Sequence, residues 1–426
     1  MKKVLFIIQS YPSERSANVL CDEKIMKELQ KTGEYEIHCL TYQYEWQKRE
    51  DVIDGFYIHR IKKSVFWDIY TWSRHHAEKK ITKLIYILHR INLRIKQTVT
   101  IPIYPCYEPI NSLIYARSAK KLYKKYKFDL VFAEHNGFDT LYAGHKLKQY
   151  AGDNITFIAA LWDPFTGSKL AKYLPQKYAE RRMEKSEAKI LNNADCVIAM
   201  HSSKPYHMQH SSKKPWFSKY RFLDIPGIVE PVIKNMPDNY TKPDMINLLY
   251  AGHIFVPDRD PSFLIDCIDQ VKWPKPVNLI FLCAGKGKEV LEEKKKTFHG
   301  TIMNCGYVDQ DELHQIMNNV DGFLNIGSYN PGMVPSKIFE YMSYGKPVIS
   351  TYVDESDASK EYLEKYPLGI CLNIDLPNEK NVVLLQHFAD EKIGISIPFS
   401  EVKQLFIENT PSSYLSVIEE IMNGMK

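Results

Sequence analysis

Residues 325–350 read NIGSYNPGMVPSKIFEYMSYGKPVIS. An apolar strand closes near Ile326, a loop carries Gly327, Asn330, Pro331 and Gly332, and Pro335-Ser336-Lys337 opens a helix. Proline suits a helix start because its missing N–H is not needed there. Gly345 and Pro347 stop the helix, and a second apolar run begins at once. Strand, helix and strand in close succession predict a parallel α/β unit.

The same alternation extends in both directions. Short runs rich in Val, Ile and Phe stand at 4–8, 36–40, 130–133, 155–161 and 196–200. Others follow at 247–251, 277–284, 301–305, 323–326 and 347–350. They do not alternate cleanly, which is the pattern of strands covered on both faces. Segments with helical apolar spacing lie between them, as at 24–29, 262–271 and 311–320. The series breaks once, at 227–244, a stretch rich in Pro, Asn and Asp without a period. The expected architecture is α/β, with two Rossmann-like, doubly wound parallel-sheet domains facing a central cleft. The first domain covers 1–228, a linker 229–244 and the second domain 245–410. A last helix, 411–426, would pack back toward the first domain.

Composition narrows the class. The 426 residues carry 56 Lys+Arg against 51 Asp+Glu, with 44% apolar and 25% charged residues, as in soluble globular proteins. Disorder, collagen and fibrous coiled coil are excluded. The apolar run near the start is five residues, too short for a secretory signal, and no run approaches a membrane span. The eight cysteines are scattered without a Cys-x-x-Cys pair, so reduced thiols and a cytoplasmic location are expected. Charge is uneven: residues 60–127 hold sixteen Lys/Arg against three acids, leaving the rest of the chain net acidic. Within them, Ile81, Leu84, Ile85, Leu88, Ile91 and Ile95 form a helical apolar stripe beside Lys79, Lys80, Lys83, Arg90, Arg94 and Lys96. Two readings follow: domain helices with solvated basic outer faces, or a patch that docks on anionic lipid at the inner face of the membrane. No nucleic-acid-binding module is present, and nucleic acid is not expected as a partner.

The chemistry-bearing residues cluster at strand ends. The first turn at Pro335 and Ser336 offers N–H groups and a helix dipole suited to phosphate, and Lys337 adds a full charge. Glu340, three residues on, shares a face with Lys337 and could hold a ribose diol. A plain surface ion pair explains the same spacing. The run NLLYAGH leads into Gly252 and His253, where backbone can approach a ligand, and the following loop carries Arg259. Cations so placed stabilise a departing diphosphate. In the first half, FDLVFAEH ends a strand at His135 and LWDP ends the next at Asp163. Asp163 could orient a hydroxyl or His135, or cap a turn. Asp258 and Asp260 mimic a metal-binding pair, but such two-letter patterns arise by chance, and no metal or other cofactor is expected. Asp309 and Asp311 read better as a helix start. Gly285-Lys-Gly287 lacks a third glycine for a dinucleotide site.

Taken together, these residues resemble the GT-B-fold glycosyltransferases, most of all the retaining glycosyltransferase family 4. The resemblance covers nearly the whole chain and is clearest between residues 248 and 350. The pattern from Pro335 to Met342 is similar to the family's Pro-Ser-Lys-x-x-Glu-Tyr-Met, with Glu340 at the ribose-binding glutamate. Gly252, His253 and Arg259 resemble its Gly-Arg followed by Lys, with His253 in place of Arg and Arg259 in place of Lys. Gly306, Tyr307 and Val308 resemble the segment whose backbone reads the base. His135 resembles the active-site histidine. The loop from Tyr11 through Ser16 and Ala17 stands where members place a Gly-Gly turn near donor phosphate and acceptor. Gly332 occupies the position of a glutamate that often touches the donor sugar.

The resemblance implies a metal-independent glycosyltransferase that uses a nucleotide-diphosphate sugar and retains anomeric configuration. Arg259 and Lys337 would serve the leaving diphosphate, and His135 would shape the sugar and acceptor side. A saccharide or lipid-linked saccharide of a surface-polysaccharide pathway is the expected acceptor. The other reading is a degenerate, non-catalytic nucleotide-sugar-binding protein, to which His253 and Gly332 would point.

Overall fold

The computed structural model describes residues 1–424 apart from 12–16, 45–46, 63–66, 68, 71, 74–75, 77–78, 80, 136, 167–172, 234–236, 257–258, 284–287 and 328–333. The chain forms two compact units, Met1–Asp224 with Pro411–Lys426, and Ile225–Thr410.

Among the described residues the first unit is built on eight strands: β1 (Lys2–Ile7), β2 (Tyr35–Gln43), β3 (Glu50–Ile53), β4 (Phe56–Lys62), β5 (Leu130–Glu134), β6 (Thr156–Leu161), β7 (Cys196–Met200) and β8 (Tyr220–Leu223). Their order is β3-β4-β2-β1-β5-β6-β7-β8, and every pairing is parallel except the β3–β4 hairpin. The chain leaves β1 toward β2 and later returns to β5 on the other side. The carboxyl ends of β1 and β5 therefore flank a topological switch point, where open α/β sheets bind ligands. Residues of β5, β6 and β7 are buried throughout, which explains their uninterrupted apolar sequences. The helix Pro411–Gly424 belongs to this unit and packs on the helix Ala17–Lys31. The buried Tyr414 hydroxyl donates to the Asp224 carbonyl at 2.7 Å.

The second unit holds β9 (Ile246–Ala251), β10 (Val277–Leu282), β11 (Thr301–Asn304), β12 (Gly322–Asn325), β13 (Val348–Tyr352) and β14 (Gly369–Asn373). All pairings are parallel, in the order β11-β10-β9-β12-β13-β14. Counted within the unit this is 3-2-1-4-5-6, the Rossmann order, with its switch point between β9 and β12. Side-chain alternation divides the core in two. Leu248 and Tyr250 pack with Leu264 and Ile268 of one helix and Leu385 of another. Leu249 and Ala251 pack on the opposite face with Ile316, Ile338, Phe339 and Leu363.

The stretch 229–244, expected as a linker, is part of the second unit, as are residues 225–228, expected to end the first domain. Ile228 is buried there, its N–H donating to Asn409, and the Val229 N–H donates to Ser343 Oγ. Arg60, part of the basic stretch, is also an internal residue. It is 3% exposed, and its guanidinium donates to the Lys48 carbonyl and pairs with Asp51 at 3.3 Å.

Candidate active site

In the second unit the site is organised by the parting of two strands. β12 pairs with β9 only through Gly322↔Leu248 and Phe323↔Leu249. Beyond that point the main-chain groups of Ala251 are satisfied by a side chain. The Tyr341 hydroxyl accepts from the Ala251 N–H at 2.9 Å and donates to its carbonyl at 3.3 Å. The Tyr341 ring stacks on Phe323, with centroids 4.6 Å apart and planes 5° from parallel. Burial, the largest cause, raises its phenol pKa far above the ordinary range. Tyr341 thus clips the helix Lys337–Ser343 to the carboxyl end of β9. Nothing local in the sequence marks Tyr341 for this role.

The clip carries the expected donor-side residues with it. The helix proper begins at Lys337, while the Pro335 carbonyl accepts from the Ile338 N–H at 3.2 Å and Ser336 precedes the first helical residue. Lys337 Nζ lies 2.7 Å from Glu340 Oε2, and their side chains are 32% and 26% exposed. The two residues satisfy each other as a helical ion pair. Such a partly exposed pair contributes only about 0.3–0.5 kcal/mol to stability.

Immediately after β9 the chain curls back. A Cβ on Gly252 would stand 2.8 Å from the Tyr250 hydroxyl, so glycine makes room for that ring. The Tyr250 hydroxyl donates to the His253 carbonyl at 2.9 Å and holds the curl closed. Burial pushes the Tyr250 phenol up to about 12, against the charge of Arg259. Arg259 closes the loop through its N–H to the Phe255 carbonyl, 2.5 Å. His253 is exposed and stacks on Phe255 at 5.7 Å. Asp260 accepts from the Ser262 N–H at 2.8 Å, a local turn before the helix Ser262–Gln270. Its partner in the acidic pattern, Asp258, lies outside the described residues, as do Gly332 and the stretch 285–287. Asp309 caps the helix Gln310–Asn319 by accepting from the Glu312 N–H at 2.8 Å.

The segment expected to read the base divides. Tyr307 is 81% exposed, whereas Val308 packs against the core beside β9. Gly306, before them, adopts φ +70.

In the first unit, His135 stands just past β5 and its N–H donates to the Ala160 carbonyl at 2.7 Å. Its Nδ1 lies 3.2 Å from the main-chain carbonyl of Asp163. A carbonyl can only accept, so Nδ1 carries the proton and Nε2 presents a lone pair. Burial, the leading cause, lowers the imidazole pKa. A neutral ring of this tautomer suits a hydroxyl donor and does not suit a phosphate. Asp163 therefore orients His135 through its backbone, while its side chain remains exposed.

The preceding loop is tied to the same strand end. The Gln9 N–H donates to Glu134 Oε1 at 2.7 Å. Asp22, fully buried near Glu134, has its carboxyl pKa raised first by burial and then by the Glu134 charge. Tyr11 departs from expectation. It is 1% exposed and packs on Phe56 at 6.3 Å, so its ring serves the core and does not face an acceptor. Ser16 lies outside the described residues.

Residues 246–370 match the family model of glycosyl transferases group 1. The matched stretch runs from β9 to the start of β14 and includes the Tyr341 clip, Lys337 and Glu340. No curated protein matches the sequence. Similarity to solved structures extends over both units. An α,α-trehalose-phosphate synthase (UDP-forming) from Burkholderia xenovorans aligns at TM-score 0.58 and 8% identity, over 99% of this chain and 100% of that one. A lipopolysaccharide outer core galactosyltransferase, WaaB, aligns at 0.56 and 12% over 100% of both chains. Anabaena HepE, solved with UDP and glucose, aligns at 0.52 and 13%, also over 100% of both. At such identities the likeness is one of fold. That fold is GT-B, two Rossmann-like α/β units in one chain.

Proposed function

We propose that the protein transfers a glycosyl group from a nucleotide-diphosphate sugar to a hydroxyl of a saccharide or lipid-linked saccharide. The observation that carries this reading is the clipped helix at the Rossmann switch point. It holds a cation and a carboxylate on one face within the group 1 domain. UDP is the first nucleotide to try, because HepE was solved with UDP and glucose.

Binding would open the Lys337–Glu340 pair. Lys337 would turn to the diphosphate and Glu340 would accept from the ribose hydroxyls, so each exchanges one charged partner for another. Arg259 would add charge at the same leaving group. As the bond from the anomeric carbon to the diphosphate oxygen breaks, negative charge grows on that oxygen, and the two cations lower the barrier. The acceptor oxygen would bond the anomeric carbon from the same face, giving retention, and its proton would pass to the departing diphosphate. That proton path requires no metal ion. His135, neutral with Nε2 bare, would accept from a sugar hydroxyl.

Screening UDP-, GDP-, ADP- and CMP-sugars by thermal shift identifies the donor, since a ligand of the native state raises its stability. With that donor, Lys337→Ala and Glu340→Ala should each lower kcat/KM by at least about 100-fold, the loss of roughly 3 kcal/mol of transition-state stabilisation. Turnover surviving both substitutions would remove the assignment. Binding without turnover toward any acceptor would leave a nucleotide-sugar-binding protein. A product of inverted configuration would overturn the retaining step alone. The surrounding pathway we propose is surface-polysaccharide assembly at the cytoplasmic face of a membrane.

A further inference from the structure

The helix Ile81–Val99 of the first unit differs from the other long helices among the described residues, because Thr82 is its one buried residue. Its seat on the unit is a narrow stripe at helical spacing: Thr82, Ile85, His89, Asn92 and Lys96. His89 stacks on Tyr70 at 3.8 Å, and Lys96 pairs with Glu108 at 2.9 Å. Of the apolar stripe read from the sequence, Ile85 is half-buried on the seat, while Ile81, Leu84, Leu88, Ile91 and Ile95 face solvent. Leu84, Ile87, Leu88, Ile91, Ile95 and Val99 form a continuous ridge, between 49% and 71% exposed. Their spacing places them on one side of the helix, away from the seat. Lys83, Arg90 and Arg94 are exposed along the flank next to that ridge. No acidic residue occurs from Lys79 to Tyr107.

An exposed apolar ridge of this length is uncommon on a solvated surface. An apolar stripe with a cationic flank is the division of a helix that lies in the plane of an anionic lipid interface. We infer that the helix Ile81–Val99 is a membrane-docking element. Its ridge enters the boundary between headgroups and acyl chains, and Lys83, Arg90 and Arg94 meet lipid phosphates. Charge complementarity selects this occupant: a second copy would bring an equal row of cations against the first. Among the described residues no helix is long and apolar enough to cross a membrane, so the element lies on the bilayer. The inference stands apart from the transferase reading, because lipid binding needs no sugar nucleotide.

The test is co-sedimentation of the full chain with phosphatidylcholine vesicles, with and without phosphatidylglycerol. Binding to the anionic vesicles is expected, at least tenfold weaker without phosphatidylglycerol and reduced by salt. Leu88→Ser/Ile91→Ser/Ile95→Ser should weaken binding to anionic vesicles at least tenfold. Lys83→Gln/Arg90→Gln/Arg94→Gln should abolish the preference for phosphatidylglycerol. All substituted side chains are exposed, and unchanged circular-dichroism melting confirms that the variants fold. Absence of vesicle binding by the folded wild-type chain overturns the proposal. So does binding unaffected by the serine variant. Concentration-dependent dimerisation that the serine variant abolishes, without lipid binding, would assign the ridge to a second copy and equally overturn it.

Discussion

Tyr341 shows how one hydroxyl can define a site. Its two hydrogen bonds replace ladder partners that β9 loses when β12 turns away. Tyr341→Phe keeps the ring stack on Phe323 and leaves a buried N–H and carbonyl unpaired. It should cost the second unit about 1–3 kcal/mol in urea unfolding and reduce stabilisation by the nucleotide. Two histidines set a different expectation. His145 and His207 are 2% and 0% exposed, and no hydrogen-bond partner among the described residues meets their ring nitrogens. Burial lowers both to about 4. Well above pH 6.5 they are neutral in both states and contribute no pH dependence. As pH falls from 6.5 toward 4 the unfolded chain takes up protons that the folded chain refuses, so stability is lost across that window. The loss should reach a few kcal/mol by pH 4, and His145→Leu/His207→Phe should flatten it in denaturation curves measured against pH.

At the scale of elements, the turn after the clipped helix is the most constrained. Gly345 has φ +65, its N–H donates to the Met342 carbonyl, and its carbonyl accepts from the Ile397 N–H at 2.9 Å. A Cβ there would stand 1.9 Å from the Ile397 carbonyl oxygen. Gly345→Ala adds left-handed strain to a backbone clash, and should lower the stability of the second unit by more than about 2 kcal/mol in urea titration. The ten expected strands all form, because burial on both faces writes itself as short unbroken apolar runs. β8 and β14 were not anticipated either, and β3 and β4 were not legible by that signal. Their cue was the Asp54-Gly55 turn, with φ 51 and 83, between runs of mixed polarity. Missing β4 also hid part of the fate of Tyr11, since Phe56 of that strand packs on it. Lys337 and Glu340 could be read because helical spacing binds them locally. The orientation of His135 and the Tyr341 clip could not. Their partners are main-chain carbonyls and an N–H, 28 and 90 residues away, which no residue identity reveals.

At the scale of the molecule, the first unit is closed by a segment that follows the entire second unit in the chain. Tyr414 is buried against the Asp224 carbonyl, and Glu420 pairs with Arg221 at 3.0 Å. Removing residues 411–426 should uncover the helix Ala17–Lys31 and lower the melting temperature of the first unit by several degrees. The second unit should keep its nucleotide-induced stabilisation, which separates the two transitions in a calorimetric scan. The same return has a consequence for synthesis. Domains ordinarily complete themselves on the ribosome in order, amino-terminal first. Here the unit begun first is finished last. Throughout elongation of the second unit, the nascent first unit presents an apolar seat awaiting its helix, and shielding of that seat until residues 411–424 have emerged becomes a condition of yield.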